Sequence, residues 1–319
     1  MLCRICDNSQ NNIAYETREM MFGFKDPFTY FQCSKCNCLQ IKEIPSNISK
    51  YYPENYYSFT PPVARKAHGL RKKIAGIRNH YAVFRQGLLG KIIYRRYPEP
   101  ILDTLSKVRL NKKSAILDVG CGSGNILYNL RELGFQNLLG IDPFVRKDIQ
   151  YDNGLKILKK SIADLNNKWD LIMFHHSFEH MADPLETLSI VSNLLNPGGT
   201  CMLAIPKVPC HAWTYYGVNW VQLDPPRHFF IHSPESIKIL AAKSNLKLES
   251  IYNNSTAFQF WGSEQYKHGI TLFGGNSYAV NPGNSIFNSK DISNFEKQAK
   301  QLNKTNQGDA GVFYLKKSA

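Results

Sequence analysis

The sequence predicts an α/β fold with a mostly parallel sheet, and residues 115–142 carry that prediction. A short apolar run leads to Asp118 and is typical of a buried strand. Three alternating glycines follow in a tight turn, and behind them apolar residues recur at helical spacing. A second apolar run, Leu138 to Ile141, ends on Asp142. Strand, glycine loop, helix and strand in this order form a β-α-β unit.

The glycine loop indicates which nucleotide the unit binds. Its glycines are Gly120, Gly122 and Gly124, whereas a dinucleotide fingerprint needs its last glycine at the position of Asn125. No Gly-Lys-Ser/Thr sequence follows, so no lysine is placed to hold a β- or γ-phosphate. A pyrophosphate ligand is therefore disfavoured. The carboxylate of Asp142 is placed to bind a ribose whose other end lies over the loop.

The remaining chain alternates between strands and helices. Residues 185–195 have a helical pattern, and an Asn-Pro-Gly-Gly sequence at 196–199 predicts a stop before the next strand. Ser233 and Pro234 predict the start of a later helix. Residues 254–310 form an insertion rich in Asn, Gly and Ser. The further predicted strands cover residues 155–159, 169–174, 200–205, 246–252 and 311–315.

Two Cys-x-x-Cys pairs near the N-terminus have the spacing of a metal site. Each pair puts two thiolates on one side of a tight turn, and two pairs complete a tetrahedron around zinc. Such a site has no open position, so we expect a structural Zn²⁺ that organises residues 1–50. A redox pair and unliganded cysteines are the alternatives, and Cys38 is a spare thiol that could replace Cys36. The predicted ligands are Cys3, Cys6, Cys33 and Cys36.

Composition limits the class of protein. The chain has 319 residues, 43% of them hydrophobic, which is enough for a sizeable core. No apolar run approaches the roughly 20 residues that cross a bilayer, and no signal segment opens the chain. We therefore expect a cytoplasmic location, with peripheral attachment to the inner membrane face as a variant. A net charge of +14 predicts attraction to anions without naming them.

Residues 51–105 are predicted to form a tyrosine-rich loop and a basic helical connector. Ten Lys or Arg and no acidic residue occur between Asn55 and Pro98. Apolar residues recur at steps of three and four from Leu70 to Ile92, which predicts one amphipathic helix. The helix could pack on the next domain, contact an anionic membrane, or bind nucleic acid. Nucleic acid is the weakest of these because the helix lacks clustered aromatics for base stacking.

Two later segments hold candidate functional residues. His176, Glu179 and His180 form an H-x-x-E-H pattern, but the proline at 184 permits at most one helical turn, so a zinc protease is disfavoured. These residues either line a pocket at the end of the fourth strand or cap the next helix. The aromatic segment 207–233 follows the fifth strand and is predicted to be a lid. Within it, prolines fix the backbone around Arg227 and His228.

The order of these motifs along nearly the whole chain resembles that of bacterial zinc-knuckle class I methyltransferases of surface polysaccharide and deoxysugar biosynthesis. The resemblance implies a Rossmann-like sheet of seven mostly parallel strands within residues 106–319. It implies S-adenosylmethionine (SAM) as the cofactor, besides the structural zinc. The implied cofactor-binding residues are Asp118, Gly120, Cys121, Gly122, Gly124, Asp142, Pro143, Ile162, Ala163, His175 and His176.

The resemblance also implies residues for catalysis. The related deoxysugar C-methyltransferases carry a tyrosine, a glutamate and a histidine after strand five, and only the histidine is present here, as His228. Pro225 and Arg227 occupy the other two positions, which favours methylation of a sugar oxygen over carbon. His228 is the first candidate for the base and His180 the second, with Glu179 beside them. Tyr56 matches the family's connector tyrosine.

We therefore expect a SAM-dependent O-methyltransferase of a nucleotide sugar, saccharide or lipid-linked glycan. The expected acceptor is a small molecule or glycan, anionic in character, and Arg227 either holds its phosphate or pairs with Asp224. Nucleic acid is disfavoured as a partner, and an anionic membrane surface is a further expected contact. The alternatives are a C-methyltransferase of a deoxysugar, an RNA methyltransferase, and a zinc-ribbon scaffold whose SAM-binding fold has no activity.

Overall fold

The structure is a computed structural model, and it describes residues 1–53 and 69–317. At the N-terminus, strands β1 (Ile13–Arg18), β2 (Pro27–Gln32) and β3 (Leu39–Ile41) form an antiparallel meander. The first Cys-x-x-Cys pair precedes β1 and the second lies in the turn between β2 and β3. Both pairs therefore belong to one small sheet.

The basic connector is a pair of helices followed by a short third one. Helix α1 spans Gly69–Phe84, α2 spans Leu88–Arg96 and α3 spans Pro100–Thr104. The prediction of one continuous helix is wrong. Arg85 and Gly87 both have positive φ, 58° and 94°, which ends the helical hydrogen-bond pattern and turns the chain.

The two connector helices pack closely against each other. A Cβ on Gly90 would lie 2.8 Å from both the Ile77 carbonyl oxygen and the Tyr81 Cβ, so this position needs a glycine. The buried face of α1 consists of Asn79, Ala82 and Val83 rather than the predicted apolar stripe. Much of that stripe is consequently exposed.

The second domain is an eight-stranded sheet with helices on both faces. Five central strands run parallel, and β12 is antiparallel to both of its neighbours. This confirms the predicted α/β class with a mostly parallel sheet, although the two-residue β6 makes eight strands rather than seven. The strands are β4 (Ile116–Val119), β5 (Leu138–Ile141), β6 (Ile149–Gln150), β7 (Lys156–Leu158), β8 (Trp169–His175), β9 (Leu195–Pro206), β11 (Leu246–Asn253) and β12 (Ala310–Lys317), in the spatial order β11-β12-β9-β8-β4-β5-β7-β6.

The predicted helices of this domain are present, and two further helices lie in the insertion. Asp183 caps the helix after β8 by accepting a hydrogen bond from the Glu186 amide, and Ser233 caps a later one as predicted. Capping by Glu179 or His180 is therefore not their role. The helices are α4 (Asn125–Glu132), α5 (Pro184–Leu194), α6 (His211–Tyr216), α7 (Pro234–Lys243), α8 (Phe258–Lys267) and α9 (Ser289–Lys304).

The segment predicted to be a lid joins the two sheets. Its short strand β10 (Phe230–Ile231) pairs with β3, which makes it the fourth strand of the N-terminal sheet. The Ile41 amide donates to the Phe229 carbonyl, and the Phe229 amide donates to the Glu179 carbonyl. One stretch of backbone thus connects the cysteine-bearing sheet to the end of β8.

A buried ion cluster fixes the same segment. The Arg227 guanidinium is fully buried and donates to Asp224 at 2.6 and 2.9 Å and to Glu19 at 2.9 Å. It also donates to the Tyr51 carbonyl at 3.3 Å. The Glu19 carboxylate in turn accepts the backbone amides of residues 22–24. These bonds hold the N-terminal domain, the connector and the segment 207–233 together.

Among residues 1–53 and 69–317, no helix is both long enough and apolar enough to cross a membrane.

Replacing Arg227 tests the importance of the ion cluster. Arg227→Ala leaves two buried carboxylates without a cation, and we expect the free energy of unfolding to fall by about 3 to 5 kcal/mol. Denaturant titration followed by circular dichroism measures the change. Lys238→Ala, which removes an exposed cation, is the control and is expected to stay within about 0.5 kcal/mol. A loss for Arg227→Ala as small as the control's would contradict this role.

Candidate functional site

The glycine loop lies at the carboxyl edge of the large sheet. The amides of Gly120 and Cys121 both donate to the Ile141 carbonyl, at 2.8 and 3.2 Å, so the loop is attached to the end of β5. Gly120 has a φ of 70°, and a Cβ there would lie 2.5 Å from the Ser177 Cβ. The loop is therefore compatible only with glycine at this position.

The two predicted acids sit on either side of the loop. Asp142 accepts the Gly122 amide at 2.9 Å and the Phe144 amide at 2.8 Å, and burial raises its pKa. Asp118 is 2% exposed, and its Oδ1 has no hydrogen-bond partner among the described residues. Burial and the charge of Asp142 both raise the pKa of Asp118. An unpartnered buried carboxyl oxygen fits a ligand that brings its own donor, as the ammonium of SAM does.

The other predicted cofactor residues lie at the same edge. Ile162 is buried and Ala163 exposed in a single turn after β7, and Pro143 is exposed beside Asp142. His175 ends β8, and burial, with a smaller effect from His176, lowers its pKa to about 3. His176 follows with a φ of 52°. The edge thus carries every cofactor residue that the sequence predicts.

Next to this edge is a cavity of about 540 Å³. Its lining combines histidines and other polar groups with aromatic and aliphatic side chains. None of its described lining residues is a lysine or an arginine. The lining includes His175, His176, His180, Gln222, Asp224, His228, Asn254 and Thr256, with Met21, Phe258, Trp261, Leu272 and Phe273.

His228 is held in one orientation at this cavity. Its Nδ1 lies 2.8 Å from the Gln222 carbonyl oxygen, which can only accept, so Nδ1 carries the proton. Its Nε2 lies 3.9 Å from Glu179 Oε1 and 3.8 Å from Asp224 Oδ2. Tyr30 donates to the His228 carbonyl at 2.7 Å. The N-terminal sheet therefore fixes the backbone of the candidate base.

Glu179 and His180 lie in the single 3-10 turn Phe178–His180, in agreement with the limit that the proline imposes. His180 Nδ1 lies 2.6 Å from the Arg227 carbonyl and 3.1 Å from the Tyr52 hydroxyl, and burial lowers the pKa of His180 to about 4. Burial raises the pKa of Glu179, but His176, His180 and His228 together lower it to about 2. The turn therefore places a buried carboxyl group beside a buried imidazole.

The structure decides the role of Arg227 and adds residues that sequence analysis missed. The Arg227 guanidinium is occupied by Asp224 and Glu19, so it is not available for an acceptor phosphate. Glu19, Tyr30 and Tyr52 contact the site from the N-terminal half. Tyr52 belongs to the tyrosine-rich loop that the sequence predicts, and a phenol of that loop is expected either to face an acceptor or to cover the core. Nothing in the sequence context of Glu19 and Tyr30 distinguishes them, because their partners lie more than 190 positions away. Tyr56, the predicted connector tyrosine, lies outside the described residues.

The four predicted cysteines converge. Cys3 and Cys36 Sγ lie 3.6 Å apart, Cys6 and Cys33 Sγ lie 3.5 Å apart, and all four sulfurs lie within 4.8 Å of one another. Tetrahedral zinc with bonds of about 2.3 Å requires sulfurs about 3.8 Å apart. Hydrogen bonding with Cys36 lowers the pKa of Cys3.

Cys38 is not part of this cluster. Its thiol is buried and contacts the Leu39 carbonyl at 3.5 Å. Among the described residues, the cluster of four sulfurs therefore contains Cys36 and not Cys38.

Comparison with known proteins gives the family. Residues 91–251 match the family described as "Methyltransferase domain". The chain is 34% identical over 105 residues to a tRNA U34 carboxymethyltransferase of Helicobacter acinonychis (strain Sheeba), covering 29% of this chain and 40% of that protein. The enzyme of the same name from Campylobacter fetus subsp. fetus (strain 82-40) is 32% identical over 175 residues, covering 51% and 62%.

A third relative is matched over more of its length. The ubiquinone biosynthesis O-methyltransferase of Xanthomonas oryzae pv. oryzae (strain PXO99A) is 25% identical over 210 residues, which cover 58% of this chain and 87% of the relative. The two carboxymethyltransferases are matched over less than two thirds of their length. The family match spans half of the chain and includes the glycine loop, both acids and the turn after β8. The chain therefore belongs to the methyltransferase domain family, and residues 91–251 are a SAM-dependent methyltransferase domain.

Proposed function

We propose that the protein transfers the methyl group of SAM to a hydroxyl oxygen of a saccharide, presented as a nucleotide sugar, a free saccharide or a lipid-linked glycan. One observation carries the proposal: His228 donates from Nδ1 to the Gln222 carbonyl, which leaves Nε2 as the nitrogen that can accept a proton, and it lines a cavity beside the cofactor edge. A hydroxyl acceptor needs a group there that can take its proton.

The residues at the sheet edge fit SAM. Asp118 would accept the ammonium group, and Asp142 would bind the ribose hydroxyls with the lone pairs that the two amides leave free. Ile162 and Ala163 would contact the adenine. When bound, SAM would supply a methyl group from its sulfonium by in-line displacement, with S-adenosylhomocysteine as the leaving group. The glycine loop and His176 would orient the methyl group toward the cavity.

The protein's own part in the reaction is alignment and proton removal. Holding the acceptor oxygen in line with the methyl group lowers the entropic barrier. His228 would accept the hydroxyl proton at Nε2, a contribution of roughly 10²- to 10⁴-fold. The neighbouring carboxylates of Glu179 and Asp224 would stabilise the imidazolium that results. His180 is the second candidate for the base.

Oxygen is favoured over carbon as the methylated atom. The positions of the tyrosine and glutamate of the deoxysugar C-methyltransferases hold Pro225 and Arg227, and Arg227 is committed to its ion cluster. The Xanthomonas relative is by name an O-methyltransferase. A saccharide agrees with a cavity that combines polar groups with the flat faces of Phe258 and Trp261.

RNA methylation is the second candidate, favoured by the net charge and by the two tRNA-modifying relatives.

Transfer of labelled methyl from SAM to UDP- or dTDP-linked sugars tests the first proposal. Filter binding with RNA tests the second, because a cognate RNA site would bind tightly at physiological salt and weaken steeply as salt rises. Tight RNA binding without methylation of any sugar would overturn the saccharide proposal.

Separate alanine variants of an acceptor-side residue and a cofactor-side residue distinguish their roles. We expect His228→Ala to lower kcat at least a hundredfold while the affinity for S-adenosylhomocysteine is unchanged. Asp142→Ala should do the converse and weaken that affinity by about 1.5 to 3 kcal/mol in calorimetry. Glu296→Ala, on the exposed face of α9, is the control for both measurements. Full turnover in His228→Ala, with activity lost in His180→Ala, would move the base to the turn after β8.

We also propose that Cys3, Cys6, Cys33 and Cys36 bind a structural Zn²⁺. The proposal is supported by their mutual distances and by the Gln40 amide, which donates to Cys3 Sγ at 2.8 Å and stabilises a thiolate. Because the four thiolates would fill the metal's coordination shell, the zinc would have no direct part in methyl transfer.

Loss of this zinc should disturb the position of the candidate base, His228. We expect Cys6→Ser to lose stoichiometric zinc and, because β3 pairs with β10, to lower kcat as well as loosen residues 1–50. Metal analysis and turnover measure the two effects, and Cys201→Ser, a buried thiol outside the cluster, is the control. Wild-type protein without zinc would refute the site. A zinc-free variant with unchanged kcat would refute the link to His228.

A third proposal concerns the connector helices, which we infer to contact an anionic membrane surface. Their exposed apolar residues include Leu70, Leu88 and Ile92, at 72, 81 and 65% exposure. The positive charge of this surface complements anionic lipid headgroups. Exposed basic residues on the same helices are Arg71, Lys73, Lys91, Arg95 and Arg96.

Vesicle sedimentation tests this contact. We expect binding to vesicles with phosphatidylglycerol and a loss of at least tenfold in the double variant Leu88→Asp, Ile92→Asp. Ile286→Asp, an exposed apolar residue in the insertion, is the matched control and should bind as wild type does. Equal binding to neutral phosphatidylcholine vesicles, or none to either, would contradict the proposal.

A further inference from the structure

We refer to the cavity lined by His180 and His228 as the acceptor cavity. Three side chains at this cavity converge in a way that methyl transfer does not require. Glu179 and His180 come from the turn after β8, and His228 comes from the segment after β9. One potential metal-ligand atom of each lies within 4.8 Å of the other two. His228 lies 48 positions after His180 in the chain, so the tertiary fold brings it to the adjacent pair Glu179 and His180.

Both histidines have the tautomer of a metal ligand. Nδ1 of His180 lies 2.6 Å from the Arg227 carbonyl and Nδ1 of His228 lies 2.8 Å from the Gln222 carbonyl. A carbonyl oxygen cannot donate, so each Nδ1 carries a proton and each Nε2 keeps its lone pair. Metal-binding histidines characteristically donate their second nitrogen to a backbone carbonyl or a carboxylate in this way.

The carboxylate of Glu179 lacks a sufficient partner. Its side chain is fully buried, and neither oxygen has a hydrogen bond among the described residues. The nearest charged contacts are imidazoles, at 3.4 Å for His176 and 3.9 Å for His228. A buried carboxylate 3.9 Å from the Nε2 of His228 needs a proton or a metal cation beside it to offset its charge.

Within residues 1–53 and 69–317, no lysine or arginine forms an ion pair with Glu179. Arg227 is adjacent to His228 in the chain, but its guanidinium already pairs with Asp224 and Glu19. The described lining of the cavity contains no lysine or arginine. The carboxylates of Glu179, Asp224 and Glu19 thus lie near one another, and Arg227 is the one cationic side chain among these four residues.

We propose that Glu179, His180 and His228 bind one divalent transition-metal cation at the acceptor cavity. Two imidazoles and one carboxylate suit first-row metals such as Zn²⁺, Fe²⁺ or Co²⁺. Three protein ligands leave positions open, and the acceptor's oxygens are the natural further ligands. That last step rests on the proposed function, whereas the binding of the cation does not. With the cation bound, His228 is a ligand, and its role as base applies only to the cation-free protein.

Cobalt binding tests the site without any measurement of turnover. Untagged protein with zinc in its cysteine site is titrated with Co²⁺, and absorption and equilibrium dialysis are recorded. We expect one Co²⁺ per chain with d–d bands and no thiolate charge-transfer band, since no cysteine belongs to the site. Glu179→Gln and His180→Ala should each weaken the affinity at least tenfold, and His268→Ala, an exposed histidine, should not.

The controls separate failure of the site from failure of the fold and of the proposed function. Each variant must bind S-adenosylhomocysteine as wild type does, which shows that the cofactor domain is intact. The absence of Co²⁺ binding at millimolar concentration, or equal affinity in Glu179→Gln, His180→Ala and wild type, would overturn the metal site and leave the methyl-transfer proposal unaffected. A thiolate charge-transfer band would equally overturn it, because the cobalt would then lie among the cysteines.

Discussion

The buried guanidinium of Arg227 is the interaction on which the site's architecture depends. It binds Asp224 from its own segment and Glu19 from the N-terminal domain, and it reaches the Tyr51 carbonyl of the connector. Buried charges of this kind are costly unless all their partners are in place. The cluster is therefore satisfied only when the three parts of the chain meet in one arrangement, and that arrangement puts His228 at the cavity.

The N-terminal domain consequently forms part of the acceptor side. Strand β3 pairs antiparallel with β10, and Tyr30 donates to the backbone carbonyl of His228. The Ser233 hydroxyl contacts the Cys36 carbonyl, which connects the second cysteine pair directly to the start of α7. The proposed zinc site could therefore help to fix the candidate base, because hydrogen bonds connect its cysteine-bearing sheet to residues 228–233.

The cofactor edge and the acceptor cavity differ in their electrostatics. At the edge, backbone amides of the loop bind Asp142 and leave Asp118 with an unpartnered oxygen, which suits a cationic ligand. At the cavity, His228 donates from Nδ1 to a backbone carbonyl, and its Nε2 lies 3.9 Å from the buried carboxylate of Glu179. Both sides thus favour positive charge, one through the ammonium of the cofactor and the other through a proton or a cation.

The sequence by itself determined the features that are local. The β-α-β unit, the glycine loop and the two acids lie within residues 115–142, where the turn needs glycine and strands place their acids at one edge. The cysteine pairs were equally predictable because thiolate spacing within a knuckle is a local property.

Only the tertiary structure decided the rest. Arg227 has the chemistry of a phosphate ligand, and burial beside Glu19 made it an ion-pair partner instead. The apolar stripe of the connector has helical spacing throughout, but two residues with positive φ break it, and close packing at Gly90 turns much of the stripe outward. The convergence of Glu179, His180 and His228 is set by contacts between distant segments, which no local pattern encodes.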